Sequence, residues 1–101
     1  MHINVRGQKR LISNALKSYT EGRVRSRLEH IAAPITSVVV QVADLNGPRG
    51  GIDKRAGISA RLLFGGPLYA EARGADAYDA VDRAVSRLVT GTARRIGRFR
   101  A

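Results

Sequence analysis

The stretch from Asp76 to Arg100 constrains the fold more than any other, because it is long enough for about seven helical turns and carries two separate stripes. Tyr78, Val81, Val85, Leu88, Ile96 and Phe99 recur at helical spacing, while Arg83, Arg87, Arg94 and Arg98 fall opposite them. At about 100° per residue, the apolar set spans a sector of roughly 80° and the arginines one of about 60°, most of a half-turn away. A helix of this kind docks through one side and presents guanidinium groups on the other. No acidic residue follows Asp82, so arginines 83, 87, 94, 95, 98 and 100 are expected to stand without a local counter-charge. Asp76 is placed to cap the helix, and Asp79 and Asp82 complement the positive end of its dipole. Dipole complementarity is worth only about 0.3 to 1 kcal/mol per charge and needs one or two terminal arginines rather than six. The surplus suits a polyanion.

The rest of the chain supplies what that helix docks on. His2 to Gly7 alternates Ile3 and Val5 with polar neighbours, the period of a strand with one buried side. Ser13 can cap a first helix whose apolar side comprises Ile12, Leu16, Tyr19, Val24, Leu28 and Ile31. That pattern changes phase near Gly22, which predicts a bend or loosening there. Pro34 ends the helix. Ile35 to Leu45 holds Val38, Val39, Val40 and Val42 and reads as a strand covered on both faces for part of its length, bounded by the turn signal Asn46-Gly47-Pro48. Between Ile52 and Phe64, Ile58, Ala60, Leu62 and Phe64 alternate with Ser59 and Arg61 in a third strand. After the Gly65-Gly66 turn, Leu68, Ala70 and Ala72 alternate with Tyr69, Glu71 and Arg73 in a fourth, which Gly74 stops. The expected fold is therefore α+β, a β-α-β-β-β-α two-layer sandwich with two helices on one face of a four-stranded sheet, an order shared in part with double-stranded-RNA-binding domains. Residues 1–101 fit one domain.

A net charge of +10, from 18 basic and 8 acidic residues, calls for a partner or counterions to relieve self-repulsion. Of the 18, fifteen are arginine, which grips phosphate bidentately and stacks on bases, so RNA is favoured over an anionic membrane. Arginine-rich codon use explains part of that preference but not the net charge. The start of the chain lacks the apolar run of a signal peptide, no stretch approaches a membrane span, and a cytoplasmic protein is expected. With no cysteine, thiolate chemistry and disulfides are excluded. His2 and His30 are the only imidazoles, in no metal-ligand spacing, and the acidic residues are accompanied by no nucleophile and base pair. No catalytic residue, metal, cofactor or small-molecule substrate is expected. The segment from Asn46 to Arg55 is glycine-rich but lacks the spacing of a nucleotide-binding loop. It reads as a long hairpin tip or as a carrier of RNA contacts through Arg49, Lys54 and Arg55. Tyr19 and Tyr78, at apolar helical positions, read as core residues, and Arg23, Arg25 and Arg27 cannot all share one helix face.

The block Ala72-x-Gly74-x-Asp76-x-Tyr78-x-Ala80-Val81-Asp82, followed by Arg87-Leu88 and basic residues at 94, 98 and 100, resembles the ribosome hibernation promoting factors. These are also called ribosome-associated inhibitor or sigma-54 modulation proteins. Ile3-Asn-Val-x-Gly7 and Ile12-Ser-x-Ala-Leu16 are similar to the same family's opening strand and first helix. The resemblance implies a short-form, ribosome-associated dormancy factor that binds rRNA of the small subunit near the decoding region and blocks translation by occlusion. It implies rRNA contacts for Arg87, Arg94 and Arg98, and also for Lys17, Arg23 and Arg100; helix geometry alone adds Arg83. The chain departs from the family's pattern in the loop from Asn46 to Arg55 and at Gly91, which puts the continuity of the last helix at Gly91 and Gly97 at issue. Two other functions fit the residues: a generic structured-RNA-binding module, and a regulatory protein-interaction module.

Overall fold

Four alternating segments form one sheet in the computed structural model, which describes residues 1–29, 35–45, 54–63 and 65–100, with side chains described as far as Arg94. The strands are β1 (His2–Gly7), β2 (Ile35–Asp44), β3 (Lys54–Leu62) and β4 (Pro67–Gly74), and the helices are α1 (Asn14–Leu28) and α2 (Ala77–Arg100). Spatial order follows chain order, with β1 parallel to β2 and the remaining pairs antiparallel. The parallel pair needs a crossover of a dozen or more residues, and α1 provides it. The sandwich β-α-β-β-β-α is the one the alternation predicts.

Register explains the core. Ile3 lies opposite Val38, Val5 opposite Val40, Val40 opposite Ile58, and Ile58 opposite Ala70. With side chains alternating between faces, one face therefore collects Val38, Val40, Val42, Ala56, Ile58, Ala60, Leu62 and Ala72, all buried. Leu16, Val24 and Leu28 of α1 and Ala80, Val81, Ala84, Val85 and Leu88 of α2 close over it. Both caps form as read: Leu16 N–H donates to Ser13 Oγ at 3.0 Å, and Asp79 N–H donates to Asp76 Oδ1 at 2.8 Å. Gly65 and Gly66 take φ of 88° and 77°, the left-handed values that their turn requires.

Several expectations are corrected. α1 stays helical through Gly22, with no loosening there, and buried Thr20 continues the Leu16–Val24–Leu28 stripe. α2 continues through Gly91 and Gly97. β2 is covered on one face only: Val39 and Ala43, on the opposite face, are half-buried, whereas Val38, Val40 and Val42 are fully enclosed. Tyr78 is no core residue; it is 40% exposed. Ile31, Pro34, the Asn46-Gly47-Pro48 turn, Arg49, Ile52 and Phe64 lie outside the described residues, as do the side chains of Arg95, Ile96, Arg98, Phe99 and Arg100.

Candidate nucleic-acid interface

The orientation of α2 decides where its arginines point. Measured from Leu88 at about 100° per residue, the residues that bury range from about −80° (Ala80) to about +60° (Val85), and Arg83, Arg87 and Arg94 fall between about −100° and −140°. The stripe therefore flanks the docked face instead of standing opposite it. Small Ala80 and Ala84 press against the sheet, each at most 1% exposed, while large Tyr78 turns outward, and this rotates the helix relative to a reading based on bulky residues. Asp82 and Tyr78 occupy the other flank, toward α1, so the arginines overlook β4, the edge strand.

Each arginine has a distinct setting there. Arg87 Nη1 donates to the main-chain carbonyl of Glu71 on β4 at 2.7 Å, which anchors this exposed side chain over the sheet edge. Arg83 Nε donates to Asp79 Oδ1 at 3.1 Å, one turn back, so Arg83 does have a local counter-charge. That hydrogen bond, aided by the Ala75 amide, holds the Asp79 carboxyl below its ordinary pKa. Arg94 is exposed and has no partner among the described residues. Arg98 and Arg100 continue the helix, with side chains outside the described set.

Of the basic residues assigned to α1 and the loop, Lys17, Arg23 and Lys54 do not join this group. Arg23 Nε pairs with Asp82 Oδ1 at 3.0 Å, and Tyr19 Oη donates to both oxygens of the same carboxylate at 2.8 and 2.7 Å. That hydrogen bond, with burial, pushes the Tyr19 phenol above its ordinary pKa. Tyr78 meets Tyr19 edge-to-face at 5.0 Å, so the cluster ties α1 to α2 and employs Arg23 structurally. Lys17 is exposed on α1, about 120° of helical phase from Arg23, which faces α2, and it lines neither notch nor stripe. Lys54 opens β3 and pairs with Asp44 at 3.5 Å, and Arg10 reaches the same carboxylate at 3.3 Å. Arg55 is a strand residue, not a loop residue.

The fold adds one residue that the pattern did not single out. Arg73 of β4 lies opposite Arg55 of β3 in the register, and both line a notch of about 360 Å³ with Glu71, Ala72, Arg83 and Arg87. Four guanidinium groups thus border one concavity at the β4 edge, with Glu71 as its single acidic lining residue among the described residues. The available sequence signal was the alternation that places Tyr69, Glu71 and Arg73 outward together, but register was needed to bring Arg55 alongside. Such a notch can hold phosphate oxygens by charge-assisted hydrogen bonds.

Comparison with known proteins agrees with this architecture. The family described as "Sigma 54 modulation protein / S30EA ribosomal protein" matches residues 3–98. The chain belongs to that family. Among solved structures, the Thermus thermophilus Protein Y N-terminal domain is similar at 29% identity, with a TM-score of 0.74 over 93% of this chain and 98% of that one. A ribosomal subunit interface protein from Coxiella burnetii has the same fold, at 24% identity and a TM-score of 0.76 over 96% of this chain and 99% of that one. No curated protein matches this sequence. The S30EA family assignment spans the helix stripe through Arg98 and both strands of the notch. Among the described residues no helix is long and apolar enough to cross a membrane.

Proposed function

We propose that this member of the S30EA family is a non-enzymatic, ribosome-associated dormancy factor. It binds rRNA of the small subunit near the decoding region and blocks translation by occlusion. The observation that carries this reading is the concentration of Arg83, Arg87 and Arg94 on one helix flank beside Arg55 and Arg73, in a chain of net charge +10 from a family described as ribosomal. Arg94, which has no competing partner among the described residues, is the residue most available to phosphate; Arg87 and Arg83 can contribute their remaining donors. Arg98 lies about 40° of helical phase from Arg94 and extends the stripe, whereas Arg100 falls about 120° from Arg94 and rests on the family resemblance alone. Lys17 and Arg23 are secondary, the first by position and the second by its pairing with Asp82. No bond is made or broken, and inhibition follows from occupied space.

Gradient sedimentation with purified ribosomes tests the reading. The protein is expected to co-migrate with small subunits and whole ribosomes at moderate salt and to inhibit translation in an extract. Affinity should fall with a logarithmic salt slope of about −0.7 to −0.9 per phosphate contacted, because each contact releases counterions. Absence of co-migration would reject the proposal, and equal affinity for a plain RNA duplex would replace it with generic RNA binding.

A further inference from the structure

We propose that the uncovered face of the sheet is a second RNA site, one that takes an unpaired RNA segment by stacking a base on Tyr69 and holding the flanking phosphates on Arg55 and Arg73. This site shares Arg55 and Arg73 with the notch beside α2 and goes beyond it across the sheet, where Tyr69 adds a stacking surface that the notch lacks.

Both helices pack on the other side of the sheet, so nothing among the described residues covers this face. By strand alternation and register it carries Arg6, Arg55, Arg61 and Arg73, with Glu71 as its only acid among the described residues. Arg55 and Arg73 stand directly opposite one another, an arrangement of like charges that destabilises a strand pair unless an anion intervenes. Glu71 compensates only in part. Its Oε2 is 4.0 Å from Arg55 Nη1 and also accepts from Tyr69 Oη at 3.0 Å, while Arg73 has no partner among the described residues. A phosphodiester would supply the missing negative charge.

Tyr69 supplies the second element. It is 62% exposed, and its phenol leans across Gly57 on β3: a Cβ built on Gly57 would lie 2.7 Å from Tyr69 Oη and 3.4 Å from the ring. The absence of a side chain at 57 lets the phenol lie low over the strand, and the bond to Glu71 fixes its far end. An exposed aromatic ring held on a sheet face between arginines is the arrangement on which unpaired bases stack. Beside the ring lies a concavity of about 250 Å³ lined by Gln8, Gln41, Arg55, Gly57 and Tyr69, whose amide groups can meet a base edge. Arg55 lines both this concavity and the β4-edge notch, so a strand crossing the face keeps phosphate contacts as it passes over the edge. Duplex RNA does not fit this chemistry, because its bases already stack on one another.

Fluorescence anisotropy with a labelled oligouridylate of about eight nucleotides, a length within the usual site size, tests the site. Tyr69→Ala should weaken binding about tenfold, and Tyr69→Phe, which keeps the ring, should retain most of the affinity. Gly57→Ala should weaken binding by displacing the phenol while leaving every charge in place. Arg73→Glu should reduce the salt slope by about one contact. Thermal melts of each variant verify folding. Failure of the wild type to bind, equal binding by Tyr69→Ala, or equal binding of a duplex of the same length would overturn the site. Wild-type protein that co-sediments with small subunits but leaves the oligouridylate free rejects this inference alone. Protein that binds the oligouridylate through Tyr69 but ignores small subunits rejects the proposed function alone.

Discussion

Thr20 shows how much a single side chain can conceal. It is fully buried in α1, and its Oγ1 has no hydrogen-bond partner among the described residues, whereas the hydroxyl of buried Thr92 donates to the Leu88 carbonyl at 2.9 Å. An unsatisfied buried hydroxyl costs about 1 to 3 kcal/mol, so Thr20→Val, which keeps the shape, should raise unfolding stability by about 1 kcal/mol. A urea-midpoint measurement checks this; a fall in stability would show that the hydroxyl is bonded. Titration is also a matter for single residues. Asp79 has a folded pKa below its unfolded value because of Arg83, so its contribution is present above the unfolded pKa and is lost as pH falls through the lower folded one. Asp79→Asn should therefore flatten the acid limb of a plot of melting temperature against pH. Tyr69 has the opposite sign: its bond to Glu71 raises the phenol pKa, so its stabilisation holds below the unfolded value of about 10 and is lost as pH rises through the folded one. In ultraviolet titration Tyr69→Phe should remove one of the late-ionising phenols.

At the scale of the element, α2 separates docking from presentation, and its arginines are not equivalent. Arg87 closes a carbonyl on the β4 edge, so Arg87→Glu should cost about 0.5 to 1.5 kcal/mol of stability, the usual worth of one hydrogen bond. Arg94→Glu, at an exposed position without a partner among the described residues, should stay within about 0.5 kcal/mol. Chemical denaturation distinguishes them; equal losses would show that the contact with Glu71 does not persist. The existence of α2, its cap at Asp76 and its continuous stripe were legible from periodicity. Its rotation was not, because Ala80 and Ala84 carry little hydrophobic signal yet fit closest to the sheet, and Tyr78 carries much and stays outside. In α1 the same blindness to small polar residues turned Thr20 into an apparent break at Gly22. Arg23 read as a free cation because its partner, Asp82, is 59 residues away.

The whole molecule is a layer of two helices on a sheet whose other face no described residue covers, and basic side chains stand on both outer surfaces. If the helix flank and the sheet face each take RNA, their contributions to salt dependence are separable: Arg94→Glu and Arg73→Glu should each lower the ribosome-binding slope by about one contact where that arginine meets rRNA, and additively when combined. The linear sequence by itself determined the elements, their order, both helix caps and the family, since these rest on local periodicity, capping chemistry and short motifs. Only the tertiary structure decided which arginines are committed to the protein and which remain for a ligand. That choice depends on register and helix rotation, which bring Arg55 to Arg73, Arg87 to Glu71 and Arg23 to Asp82 across stretches of chain that local pattern does not connect.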